Sequence, residues 1–202
     1  MRQKKKREPV VNGYLFPFMR ETIAQLESLG KIRTSETYRS ALSSFMRFRK
    51  GKDIQISDIT DDVLVSYEGV LKLSGLSSNT TSFYMRILRA VYNRAVRLGI
   101  AKQEYPFKYV YTGVDKTRKR SVDISTVSVL AELDLSNNPS AAFARDMFLF
   151  SFYTRGMSFV DMAYLRKSDL SNGVLTYRRR KTGQIMFIRW EDCMEKIVSY
   201  YN

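Results

Sequence analysis

From residue 14 to about 100 the apolar positions recur every three to four residues, the period of helices that bury one side. Four helices follow. The first covers roughly 15–29 and is closed by Gly30, which suits a left-handed C-terminal cap. The second begins after Thr34 or Ser35, either of which can cap it, and runs to about Lys50. Tyr38, Ala41, Leu42, Phe45 and Phe48 make its apolar stripe, leaving Arg39, Arg47 and Lys50 largely off it. The third starts near Thr60, places Asp61 and Asp62 in the first turn where the helix dipole favours anions, and ends before Gly75. The fourth, about 78–98, has the sharpest pattern: Tyr84, Ile87, Leu88, Val91, Ala95 and Leu98 form one face, and Gly99 ends it. Arg86, Arg89, Asn93 and Arg97 lie opposite, within an arc of roughly 80° at 100° per residue.

The period is lost from Pro106 to Ser121, a stretch with aromatics, a glycine and the cluster Lys116, Arg118, Lys119 and Arg120. This predicts an extended linker, either a solvated hinge or a cationic strap across a duplex backbone. A second unit begins near Val122. It opens with a short helix over 125–133 and a turn at Asn137–Pro139. Ser140 to Tyr153 is apolar nearly all round, which predicts a central, buried helix. Another helix is expected from Ser158 to Arg166. Val174–Arg179 and Ile185–Arg189 then flank a turn containing Gly183, the signature of a β-hairpin, and a last helix starts near Glu191. The domain plan is a basic arm at 1–13, a helical unit at 14–105, a linker at 106–121 and a second unit at 122–202.

Composition narrows the chemistry. With 44% hydrophobic and 13% aromatic residues the chain can build packed cores. No apolar run approaches the roughly 18–20 residues of a membrane span, and the basic start lacks the apolar core of a secretory signal. A single cysteine, Cys193, rules out an internal disulfide framework and suits a reducing cytoplasm. The absence of histidine, with one cysteine, removes the usual zinc patterns, histidine acid–base catalysis and Cys–His nucleophiles. The net charge of +14 is unevenly spread: residues 1–120 hold 24 Lys/Arg against 11 Asp/Glu, residues 121–202 hold 10 against 9. So basic a front part suits a polyanion, because each neutralised phosphate releases condensed counterions. Anionic membranes and ribosomal RNA compete with DNA on charge alone. The polar face of the fourth helix is then either a solvated outer face or a DNA contact through Arg86, Arg89, Asn93 and Arg97. Lys116, Arg118, Lys119, Arg120, Arg39 and Arg47 are the further candidates.

Two segments, FSFYTRGMSFVDMAYLRKSDL and VLTYRRRKTGQIMFI, together resemble the start of the catalytic domain of tyrosine recombinases of the phage integrase family. There a buried helix leads to a turn bearing an arginine, a helix with an acid and a leucine, and a hairpin whose tip carries a lysine. LSSNTTSFYMRILRAVYNRAVRLGI is similar to the last helix of that family's core-binding domain. The style is closest to integrases of Bacteroides-type mobile elements. The resemblance implies a mainly α chain: a SAM-like four-helix core-binding domain, then the first part, helices plus a β-hairpin, of an α+β catalytic domain. It implies double-stranded DNA as partner, other protomers assembled on DNA, a cytoplasmic, nucleoid-associated location, and no cofactor, metal or membrane.

In that family a tyrosine attacks the scissile phosphate, arginines stabilise charge on the non-bridging oxygens, and the hairpin lysine protonates the departing 5′ oxygen. Lys181 matches the lysine. The family pattern T-G-L-R-x-S-E-L-x-x-L, aligned on Asp161 and Leu165, puts Ser158 in the arginine's slot, with Arg155 three residues earlier. If those residues turn helically, Arg155 and Ser158 share a face and Arg155 replaces the missing arginine; otherwise Arg155 is a structural turn residue. Asp161 orients its neighbours rather than acting as a base. The pattern continues with H-x-x-R and a tyrosine nucleophile, whereas this chain runs 21 residues past Lys181 and has no histidine. Tyr200 and Tyr201 fall before the nucleophile's position and read as core or helix-surface residues. The expectation is a DNA-binding chain that does not cleave alone, with a non-catalytic regulator derived from an integrase as the alternative.

Overall fold

The computed structural model describes residues 13–118 and 121–201, which divide into two compact units, one up to Thr117 and one from Arg118. The first unit is helical: α1 (Leu15–Ser28), α2 (Ile32–Phe48), α3 (Asp61–Leu73) and α4 (Ser78–Arg97). The ends of α1, α3 and α4 obey local signals. Thr60 and Ser77 cap α3 and α4 by accepting from Val63 N and Thr80 N, and Gly30, Gly75 and Gly99 follow their helices at φ near +70 to +80°. The start of α2 differs from expectation. It begins at Ile32, ahead of Thr34 and Ser35, and Lys31 at its N-cap supplies no side-chain cap. The Ser35 hydroxyl instead donates to the Ile32 carbonyl at 2.7 Å, satisfied within the helix.

The core follows the apolar stripes, with Ala41, Leu42 and Phe45 of α2 and Ile87, Leu88, Val91 and Ala95 of α4 buried. Tyr67 is fully buried, edge-on to Phe45 at 5.0 Å, and its hydroxyl donates to Ser44 at 2.8 Å. Burial pushes that hydroxyl's pKa up to about 12. Leu98, expected on the apolar face, is 57% exposed because, as the C-cap residue, it lies past the last turn the core covers. Residues 106–115 correct the sequence reading more deeply. Phe107 and Val110 enter the core, and the segment stays bound to the helices as far as Asp115 rather than forming a free linker. It has no period because its backbone is irregular, yet Phe107 and Val110 are buried while Tyr109 and Val114 stay exposed.

The second unit holds α5 (Ile124–Glu132), α6 (Pro139–Tyr153), α7 (Phe159–Met162), a sheet of β1 (Leu170–Ser171), β2 (Val174–Arg178) and β3 (Ile185–Arg189), and α8 (Asp192–Tyr200). The strands are antiparallel in the order β1-β2-β3, with Leu175 opposite Ile188 and Tyr177 opposite Met186. Alternation turns Leu175, Tyr177 and Ile188 inward onto Phe150, Met157 and Met194. The two-residue β1 gave no period to read. Helix α7 is one turn long where nine residues were expected, and β2 stops one residue short of Arg179. Helix α6 is not buried all round: Phe143, Phe148 and Phe152 are each close to 45% exposed, and only Asp146, Leu149 and Phe150 are buried.

Candidate nucleic-acid interface

The polar face of α4 organises the first unit's candidate site. Arg86, Arg89 and Arg97 are exposed and Asn93 is half-buried, as the arc predicted. The same arc also contains Asn79 and Ser82, at helical spacing from Arg86. The segment from Gln103 to Asp115 is bound along this face. Gln103 Nε2 donates to Asn93 Oδ1 at 3.3 Å, Arg89 Nη1 donates to Thr112 Oγ1 at 3.0 Å, and Ser82 Oγ donates to the Gly113 carbonyl. Asn79 makes a two-way clamp: its Nδ2 donates to the Asp115 carbonyl at 3.1 Å, and its Oδ1 accepts from Asp115 N at 2.8 Å. On α3 the largely buried Glu68 accepts from Tyr111 N at 2.9 Å through one oxygen and pairs with Lys72 at 3.0 Å through the other.

A cleft of about 380 Å³ lined by Arg89, Asn93, Gln103, Tyr105, Pro106 and Lys108 lies where this strap crosses α4. Lys116 and Arg118 are exposed; Lys119 and Arg120 lie outside the described residues, as does the basic arm through Asn12. On α2, Arg47 is exposed, but Arg39 is engaged in an ion pair with Glu27 of α1, which makes it a helix-to-helix tie as much as a free cation.

In the second unit the turn after α6 does not continue as a helix. Arg155 and Gly156 both adopt left-handed backbone, φ +58° and +78°, and Gly156 N donates to the Ser151 carbonyl at 2.8 Å. The condition under which Arg155 and Ser158 share a helical face is therefore not met. Ser158 is the N-cap of α7; its hydroxyl accepts from Asp161 N at 3.2 Å and donates to Asp161 Oδ2 at 2.8 Å. Asp161, only 6% exposed, uses Oδ1 to accept from Arg180 N at 2.9 Å. That bond brings the α6–α7 turn and the hairpin tip together, next to Lys181. The Arg180 N–H holds the Asp161 carboxyl below the usual carboxylate range, helped by Ser158 and by the Arg179 and Arg180 guanidinium groups and opposed by burial.

The tip is fixed from within. Gly183, at φ +73°, donates to the Arg179 carbonyl at 2.7 Å; Arg178 Nη1 donates to the Gly183 carbonyl at 2.7 Å; Arg179 N donates to Gln184 O at 2.8 Å. Arg180 stacks on Tyr164, its guanidinium carbon 3.8 Å from the ring centroid. Arg155 and Lys181 remain exposed. Tyr201 donates to Asp146 at 2.8 Å and stands edge-on to Phe143; burial, with the Asp146 bond second, pushes its hydroxyl up to about 12. Among the described residues no group of three Cys, Asp or Glu side chains is placed to hold a metal, and no helix is long and apolar enough to cross a membrane.

Sequence reasoning missed the strap's anchors, Glu68, Asn79 and Ser82, and the Arg180–Tyr164 stack. An acidic or amide side chain bound to backbone some 36–43 residues away leaves no local signal.

Residues 14–111 match the model of the phage integrase SAM-like domain. No curated protein sequence matches the chain. Among solved structures the chain resembles a lambda integrase dimer bound to a COC′ core site, with TM-score 0.73 and 17% identity over 92% of this chain and 66% of that one. It resembles a lambda integrase tetramer bound to a Holliday junction, with TM-score 0.72 and 16% identity over 96% of this chain and 58% of that one. The Tn1549 transposon integrase in complex with a circular intermediate DNA gives TM-score 0.67 and 15% identity, over 94% and 65%. The chain thus spans between 58% and 66% of the length of these integrases.

Proposed function

We propose that this protein, whose residues 14–111 match the phage integrase SAM-like domain and whose fold resembles the lambda and Tn1549 integrases, binds double-stranded DNA for the integration or recombination of a mobile element. The observation that carries this reading is the cationic face of α4, three exposed arginines with no acid on the same arc. Lys116, Arg118, Lys119, Arg120 and Arg47 extend the phosphate contacts, with Arg39 divided between DNA and Glu27. In the second unit, Lys181 stands where a proton donor to a leaving 5′ oxygen would stand once a nucleophile is supplied, while Arg155, whose left-handed backbone takes it off the helical face of Ser158, is a turn residue. Asp161 fixes the hairpin tip and does not take the proton, since its two oxygens are occupied by Ser158 and Arg180.

Binding proceeds without cleavage. The chain has no histidine, and Tyr201 is tied to Asp146 with its hydroxyl pushed up to about 12, away from nucleophilic use. The protein works with further protomers on DNA, in the cytoplasm at the nucleoid. Incubating it with a nicked duplex tests this: the expected result is a retarded complex that dissociates in denaturing gels. A denaturant-resistant, protease-sensitive adduct would establish a competent nucleophile on this chain, and no complex at all would refute DNA binding.

A further inference from the structure

Four of the six polar residues on the α4 arc are already bonded to the protein's own strap. Asn79, Ser82 and Arg89 are bonded to residues 112–115, and Asn93 to Gln103, while Arg86 and Arg97 stay on the open side. The strap runs antiparallel to the helix: Gln103 meets Asn93, Thr112 meets Arg89, Gly113 meets Ser82 and Asp115 meets Asn79. The clamp at Asn79 therefore fixes where Lys116 leaves the helix, at the N-terminal end of the arc whose other end carries Arg97. From Asn79 to Arg97 the arc is about 27 Å long at 1.5 Å per residue. Measured along a duplex axis, that length covers about eight base pairs at 3.4 Å each.

We propose that Asn79 is a positioning residue, with Glu68 as its support on α3, which aligns Lys116 with Arg86 and Arg97 as one rail for the backbone of a DNA duplex. The proposal rests on the DNA-binding reading above. Its physical content is preorganisation: a lysine held in register loses little freedom when a phosphate arrives, whereas one on a free linker must be ordered first. Asn79 suits this role because its amide supplies both a donor and an acceptor, closing on one residue's N–H and C=O. It is half-buried at the helix start and outside the buried core, so its replacement leaves the core intact.

The test is a salt-slope cycle on the whole chain with a mixed-sequence duplex of ~30 base pairs, each phosphate contact contributing about 0.9 to the slope of log K against log salt. Lys116→Ala is expected to lower the slope by about 0.9, Asn79→Ala to lower it by a similar step, and the double variant to lower it no further than either. Hydrogen exchange at the Asp115 amide, which donates to Asn79, is expected to speed up in Asn79→Ala. If Lys116→Ala takes its full step in the Asn79→Ala background, or if Asn79→Ala frees the Asp115 amide with no change in slope, the positioning role is wrong. An Asp115 amide equally protected in both proteins would deny the clamp itself. A parent chain that does not bind the duplex would instead defeat the DNA-binding reading, and the rail with it, while the exchange measurement still reports whether the strap is clamped.

Discussion

At the scale of single residues, the two oxygens of Asp161 hold the second unit's candidate site in shape, one accepting from the Arg180 N–H and the other from the Ser158 hydroxyl. Truncation strands both donors beside a buried position. Asp161→Ala should therefore cost about 1–3 kcal/mol in denaturant unfolding of the second unit. The folded carboxyl titrates below its usual value, so it favours the folded state above about pH 4, the ordinary aspartate range, and that stabilisation is lost as pH falls through the lower folded value. Asp161→Asn should flatten this acid limb while keeping an acceptor for the Arg180 N–H. An acid limb identical in Asp161→Asn and the parent protein would mean that another carboxylate dominates. The Ser158–Asp161 pair itself was partly visible in sequence, as a serine three residues before an acid. Its second bond, to a hairpin 19 residues on, was not.

Elements differ in how much of themselves they announce. Helices α1, α3 and α4 were legible because each carries its own stop or start: a glycine past the end, or a threonine or serine at the cap. The start of α2 was not, because tertiary packing begins it at Ile32 without a side-chain cap, and two plausible hydroxyl caps inside the helix pointed downstream. The hairpin was legible from alternation and Gly183, whereas the α6–α7 turn was not: Arg155 takes left-handed backbone that its side chain gives no reason to expect. The strap was the largest omission, since aperiodic sequence looks the same whether it hangs free or is bound to a helix. Gly183 offers a test of the tip. A Cβ there meets no atom within 4 Å, so Gly183→Ala adds no clash and its cost is the left-handed backbone alone, about 1–2 kcal/mol. Denaturant unfolding that changes by much less would show that the tip adopts another conformation in solution.

On the scale of the whole molecule, charge and fold divide the labour. Residues 1–120 hold nearly all of the net positive charge, while residues 121–202, close to neutral, carry the turn and hairpin that bear Arg155 and Lys181. Such a division suits a protein whose first unit supplies affinity through phosphates, which is sensitive to salt and indifferent to sequence. The SAM-like domain was expected from the resemblance and is borne out by the match over residues 14–111. The proposed DNA binding is measured most directly by the affinity for a ~30-base-pair duplex across a range of salt. Changing Arg86, Arg89 and Arg97 together to alanine is predicted to weaken binding and lower the slope of log K against log salt by about 2–3. A triple variant that binds with the slope of the parent protein would take α4 out of the interface and contradict the assignment.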